Sequence, residues 1–197
     1  MPGAIGMVKL RGAGLVLRAL TRRDRHEWDS LRRRNQAWLA PWESQDPTGE
    51  DRAVTFGHYV RAQAQAARDQ VGFGWVITQG GPMIGHITLS HIAWGAIRSA
   101  TVGYWVTHER AGQDIAPRAV ALVTDYAFFD LGLHRVEVNI RPDNYASLRV
   151  VEKLGFREEG LRERYIFIDG DWRDHRSFAL VAEETGSLVQ KFWPDSD

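Results

Sequence analysis

The stretch ERAGQDIAPRAV, residues 109–120, has the outline of a loop that cradles phosphate and runs straight into a helix. The first N–H groups of a helix lack partners within it and the helix dipole adds positive character there, so such an end suits a pyrophosphate. Asp114 stands where loops of this kind usually want a glycine. Two placements are open: an N-cap whose carboxylate occupies the N–H groups an anion needs, or a side chain that turns to solvent. A carboxylate a few Å from a partly solvated pyrophosphate costs on the order of 1–3 kcal/mol, roughly ten- to a hundredfold in affinity. Pro117 withholds one further N–H but is tolerated in a first helical turn.

Other candidates lie downstream and upstream. In NYAS, Asn144 and Ser147 have the spacing of a helix N-cap and its N3 residue. HRVEVNI alternates, with Arg135, Glu137 and Asn139 on one face of a strand and Val136, Val138 and Ile140 on the other. Glu43, in PWE, is a further carboxylate, open to reading as one half of a structural ion pair, as is Glu137. Asp171, Asp174 and His175 in DWRDH match no dense metal site and fit a hairpin turn with an ion pair. His26, His58, His86, His91 and His108 have no ligand spacing either, so no metal is predicted.

Positioning these groups requires a mixed architecture. GLVLRAL reads as a strand, followed by a helix that Thr21 and Asp24 open and Pro41 forbids from continuing. A second helix spans DPTGEDRAVTFGHYVRAQAQAARD, with Phe56, Val60, Ala64 and Ala67 on one face. Three antiparallel strands follow: FGWVIT, MIGHITLSHI after a QGGP turn, and SATVGYWVT. The central helix puts Ile115, Ala119, Val123, Tyr126 and Phe129 on one side and stops at Gly132. HRVEVNI, a short helix closed by Gly155 and a long hairpin around DGD complete an α/β sheet with one strand–helix–strand crossover at its centre, the arrangement that builds a ligand crevice. The whole chain reads as a single domain, core about 14–184, with residues 185–197 as a tail.

Composition narrows the classes. The chain of 197 residues balances 25 basic against 25 acidic side chains, which gives no general pull toward nucleic acid or anionic lipid. Zero cysteines exclude a disulfide framework, thiolate-bound zinc and a Cys nucleophile. No run approaches ~20 apolar residues and the N-terminus lacks the apolar core of a signal peptide, so a cytoplasmic protein without a membrane partner is expected.

From about residue 14 to 184 the chain resembles the GNAT superfamily of acyl-CoA-dependent N-acetyltransferases. Within it the chain resembles the RimJ/RimL branch, which acetylates N-terminal amines of ribosomal proteins. The resemblance rests on WLAPWE, GYWV followed by AGQDIAPRAV, HRVEVNIRPDNYASLRVVEKLGF, and YIFIDGDWRDH, in that order. It implies acetyl-CoA as cofactor, its pantetheine lying where GYWV splays from the next strand and bonding the backbone of Trp105 and Val106. The pyrophosphate would meet Gly112, Gln113, Asp114, Ile115 and Ala116, with Asn139 and Asn144 bonding the rest of the arm. Ala111 departs from the family's Arg or Gln, and Asp114 from its glycine.

The resemblance also assigns roles. Ser147 would protonate the leaving thiolate, and Trp38, Trp42, Glu43, Tyr104, Trp105 and Tyr165 would wall the acceptor cleft. The bases of relatives fall on Asn139 and Ile166 here, neither of which can act, so Glu137 is the candidate base with Glu43 behind it. Asp46, Glu50 and Asp51 would draw a basic acceptor. The acceptor implied is a protein N-terminus, with a polyamine, aminoglycoside or amino acid as the alternative. A GNAT-fold binding protein that has lost catalysis is the reading of another class. Monomer and homodimer are both open.

Overall fold

The computed structural model describes residues 8–49 and 54–195. Eight strands form one sheet in the order β1-β2-β3-β4-β5-β6-β8-β7. These are β1 (Leu10–Gly12), β2 (Leu15–Ala19), β3 (Phe73–Thr78), β4 (Met83–Ala93), β5 (Ser99–Val106), β6 (Arg135–Ile140), β7 (Arg157–Ile168) and β8 (Asp171–Val181). Every neighbouring pair is antiparallel except β5 and β6. That parallel pair holds for three rungs only, Ser99↔Arg135, Ala100↔Val136 and Thr101↔Glu137. Beyond them β5 stays with β4 as far as Gly85↔Val106, and β6 stays with β8 as far as Ile140↔Arg176. Each strand has therefore lost one partner, and the backbone groups lining the resulting gap have no neighbouring strand to pair with there. Gly85 lets the two strands close on the intact side: a Cβ there would sit 2.4 Å from the Trp105 carbonyl oxygen.

The central helix α4 (Ile115–Asp125) lies across one face, buried at eight of its eleven positions. Ala100, Val102, Val136, Val138 and Ile140 pack in its core, with Tyr104 and Val106 partly buried against it. The helix then widens into a five-residue π turn at Tyr126–Asp130. The wider turn shifts the register, so Phe128 is buried and Phe129, expected inside, is 59% exposed. On the opposite face a smaller cluster of Leu20, Leu31, Val76 and Met83 gathers Trp28, Phe56, Tyr59, Val60 and Trp105. It is covered by α1 (Arg25–Arg34) and α3 (Phe56–Arg68).

Three expectations are corrected here. The first helix does not run on to Pro41: it breaks at Asn35, and a separate turn α2 (Gln36–Leu39) follows. Asn35 is 2% exposed; its amide donates to the Leu31 carbonyl at 3.0 Å and its Oδ1 accepts from the His108 amide at 2.8 Å. That bond ties α1 to the loop after β5, which a continuous helix would not do. The last residues are no simple tail, since α6 (Leu188–Phe192) buries Leu188 completely. Asp125 of α4 anchors it, accepting from the Ser187 hydroxyl at 2.6 Å and from the Leu188 and Val189 amides at 2.8 and 3.0 Å. Strand β1 extends the sheet by one strand beyond the predicted set. The start of α3 agrees with expectation only from Phe56, capped by Thr55; Glu50 and Asp51 lie outside the described residues.

Candidate active site

The gap between β5 and β6 ends at the loop of residues 112–116, which leads into α4. Gly112 has φ +75° and Asp114 is left-handed too, at φ +63°. For a residue with a Cβ that conformation costs roughly 1–2 kcal/mol, which is why a glycine suits the position. The Asp114 carboxylate makes no cap bond to α4. It turns instead to Lys153 Nζ, at 2.7 and 2.6 Å, with Arg118 Nε at ion-pair distance of 4.0 Å. Lys153 belongs to α5 (Tyr145–Leu154). The N-cap placement is thus corrected: the side chain leaves the helix amides free, and its charge is met by a lysine the sequence reading did not connect to it. The side chains of Lys153 and Arg118 lie 5.2 and 5.9 Å from the Trp193 ring centroid. With two cations to one carboxylate, the loop keeps a positive balance. Gln113 folds back onto the Glu109 carbonyl at 2.9 Å and Ile115 is core, so residues 112–116 offer backbone rather than side chains to an anion.

Across the gap, α5 starts at Asn144, whose Oδ1 accepts from the Ser147 amide at 3.1 Å. The cap reading of that spacing holds, and it leaves the Ser147 hydroxyl free of the helix. Tyr104 faces Ser147 from β5. Burial pushes its phenol up to about 12, with the Ser147 side chain pulling the other way. Tyr104 is partly buried, and its hydroxyl is enclosed without a hydrogen-bond partner. Asn139 accepts from the Ser177 hydroxyl at 2.7 Å.

Glu137, the candidate base, is bonded on both oxygens: Arg135 Nε donates at 2.7 Å and Arg162 at 3.3 Å. It also sits on the last paired rung of β5 and β6, below the gap. The carboxylate is thus held as one partner of an ion-pair network, the structural reading that the sequence also left open for it.

The other face of β5 opens into a cleft of about 1280 Å³. Tyr104, Trp105, Trp42, Glu43 and Asp46 line it as expected. Trp28, Arg32, Tyr59, His86 and Phe167 line it as well and were not anticipated. Glu43 is gripped by Arg32 through both guanidinium nitrogens, and Arg32 lies over the Trp105 ring at 5.6 Å. Glu43 is therefore a wall rather than a free base. Arg141 stacks on Trp42 at 5.3 Å and donates to the Pro41 carbonyl at 2.8 Å. Trp38 does not line the cleft. Its indole donates to the Val106 carbonyl at 3.0 Å, which leaves that oxygen one lone pair for a ligand. Tyr165 is also absent from the lining, because β7 bulges between Arg162 and Ile166, with Arg164 at φ +46°. The bulge packs Tyr165 on Arg162 and His175 and brings Phe167 to the cleft.

His86 forms the floor beside Trp105. It is 4% exposed, and its Nε2 is buried without a hydrogen-bond partner. Burial, and then the Arg32 charge, hold its ring down to about 3, so it is neutral near physiological pH. Asp171, Asp174 and His175 serve their hairpin, for example through the Arg164 amide donating to Asp174 at 2.7 Å. Among the described residues no group of three or more metal-ligating side chains is assembled, and no helix is long and apolar enough to cross a membrane.

Comparison with known proteins matches this geometry. Residues 14–157 match the family described as Acetyltransferase (GNAT) domain. The chain is 32% identical to Mycobacterium smegmatis RimJ in complex with CoA-disulfide, with a TM-score of 0.84 over 99% of this chain and 97% of that one. It is 27% identical to the [Ribosomal protein uS5]-alanine N-acetyltransferase of Escherichia coli over 90% of this chain and 92% of that protein. Similarity to the probable N-acetyltransferase YjcK of Bacillus subtilis is higher, 38%, but spans 57% of this chain and 62% of that relative.

Proposed function

The chain belongs to the GNAT family of acetyltransferases, and from that premise we propose that the amine it acetylates is the N-terminal α-amine of a protein, a ribosomal protein foremost. Acetyl-CoA is the acyl donor of this enzyme class and supplies an acetyl thioester. The residues present suit it: uncapped amides at the start of α4, a net positive loop, and two unpaired strand edges on either side of a gap. In this reading residues 112–116 hold the pyrophosphate, and Trp105, Val106, Asn139 and Asn144 line the arm. The Ser147 hydroxyl gives a proton to the departing sulfur. Tyr104 stands behind it and resupplies the serine, and the proton that the amine releases returns to Tyr104 through water, so that each hydroxyl ends as it began.

One observation carries the choice of acceptor. Both carboxylates predicted as bases are locked to guanidinium groups, Glu137 to Arg135 and Arg162, Glu43 to Arg32. An α-amine, with a pKa near ~7.7–8.0, is already substantially deprotonated at neutral pH and can lose its proton to water. A lysine or polyamine amine near ~10.4 is neutral in only roughly one molecule in a thousand and needs a strong base. The lining adds an attraction for a positively charged chain, with Asp29, Glu43, Asp46 and Asp169 set against Arg32 among the described residues. The name of the E. coli relative points the same way.

The test is a panel of short peptides with free Ala, Ser or Met N-termini run against spermidine, an aminoglycoside and free amino acids, all with acetyl-CoA. The expected result is a kcat/KM for the best peptide about a hundredfold above every small amine. A small amine as the best substrate overturns the reading.

A further inference from the structure

The floor of the acceptor cleft holds a polar atom that folding alone does not explain. His86 Nε2 is enclosed and makes no hydrogen bond, although cross-strand pairing sets its residue directly opposite Trp105 on the strand that borders the gap. Aromatic rings surround it: Trp28 edge-on at 5.2 Å, Tyr59 at 6.3 Å and Trp105 at 6.4 Å. A phenylalanine would fill that aromatic nest without leaving a nitrogen unpaired. A neutral imidazole, by contrast, always carries one bare nitrogen that can accept an N–H.

We propose that His86 is a positioning residue for the acceptor: the rings of Trp28, Tyr59 and Trp105 that enclose it part to hold the carbon atoms next to the incoming amine, and its unpaired Nε2 accepts an N–H of that amine. The inference deepens the acetyl-transfer reading above and rests on it, but not on which amine is used. Three arguments support it. The residue lines the cleft rather than the core alone. Its neighbour Arg32 is held by Glu43 and stacked on Trp105, so that cation is occupied and does not bar an approaching amine. The neutral ring near physiological pH leaves an acceptor, not a second positive charge, where the amine arrives.

The experiment uses the full chain, acetyl-CoA and the best amine from the peptide and small-amine panel. His86→Phe and His86→Leu remove the ring nitrogens, and His86→Gln keeps an acceptor oxygen. The expected result is an acceptor KM raised about tenfold in both apolar variants, with the KM for acetyl-CoA within about twofold of native. His86→Gln should recover acceptor KM to within about threefold. Melting temperatures of the apolar variants should equal or exceed the native value, since they delete an unpaired buried nitrogen. A purely structural histidine would show the reverse, lower melting temperatures with acceptor KM unmoved, and that outcome overturns the inference. If the native chain acetylates no amine of the panel, the acetyl-transfer reading fails and takes this inference with it. If the native chain is active and the apolar variants bind acceptor equally well, only the inference about His86 fails.

Discussion

The loop proposed to hold the pyrophosphate and the cleft proposed to hold the acceptor solve opposite problems with different materials. The loop is one short run of backbone, residues 112–116, and its only charged side chain is turned away onto Lys153. The cleft is made of side chains from α1, the segment after α2, α3, β4, β5 and the β7–β8 turn. In the loop, function depends on donors that every residue but proline possesses, so a residue as ill-suited as Asp114 is tolerated once a cation answers it. In the cleft, function depends on which side chain stands where. The comparison teaches that a loop built of backbone donors accommodates an ill-suited side chain once a cation takes it up, whereas a cleft built of side chains depends on each of them.

The sharpest way to break that comparison is at the point where the two regions meet. Ser147→Ala and Tyr104→Phe should each lower kcat by on the order of a hundredfold, the range of a single general acid. The double variant should be little worse than either alone if the pair passes one proton, as residues acting as a unit do. Steady-state rates with saturating acetyl-CoA decide it, and simple multiplication of the two losses would separate the hydroxyls.

A smaller effect tests the loop itself. Lys153→Ala leaves the Asp114 carboxylate beside the helix start with Arg118 at 4.0 Å as its remaining cation, and calorimetry should find acetyl-CoA bound about tenfold more weakly. Asp114→Gly alone should change affinity by less than about threefold, and combined with Lys153→Ala it should restore binding to near native. A large gain from Asp114→Gly alone would mean that the carboxylate swings back onto the phosphate site.

The smallest effect concerns the cleft and pH. Burial, then the Arg32 charge, depress the His86 pKa from the ordinary 6.5 to about 3. The unfolded chain therefore binds a proton that the folded chain refuses between those values. Stability from this source is complete above about pH 6.5 and falls as pH drops toward about 3. Arg32 and Tyr59 are the titratable groups recorded around the ring, and neither titrates in that window. Melting temperature should fall less steeply from pH 6.5 to 4 in His86→Phe than in the native chain. Parallel curves would show that the imidazole reaches solvent protons while folded.

Much of the fold could be read directly because it depends on local pattern. The alternation in HRVEVNI put Val136, Val138 and Ile140 inside, and Gly155, left-handed at φ +78°, closes α5 where a C-cap was expected. The reading failed where a single residue's partner lies far away in the chain. Asn35 ends α1 to serve a loop 73 positions on. The π turn after α4 and the bulge in β7 each shift a register that periodicity assumes constant, and so moved Phe129 out and Tyr165 aside.

What the amino-acid sequence determined by itself is the order of the main elements, a helix start behind a glycine-bearing loop, and the family that the run of motifs resembles. These follow from short-range geometry, which each residue and its near neighbours settle. Tertiary structure alone decided which charges are free. Glu137 and Glu43 look alike as isolated carboxylates, and only the folded chain brings Arg162 and Arg32 from other elements to pair with them. The same holds for Asp114, whose partner is 39 residues away, and for His86, whose unpaired nitrogen exists only because three aromatic rings from three elements close around it. Charge and burial are properties of surroundings, and a sequence carries the residue without its surroundings.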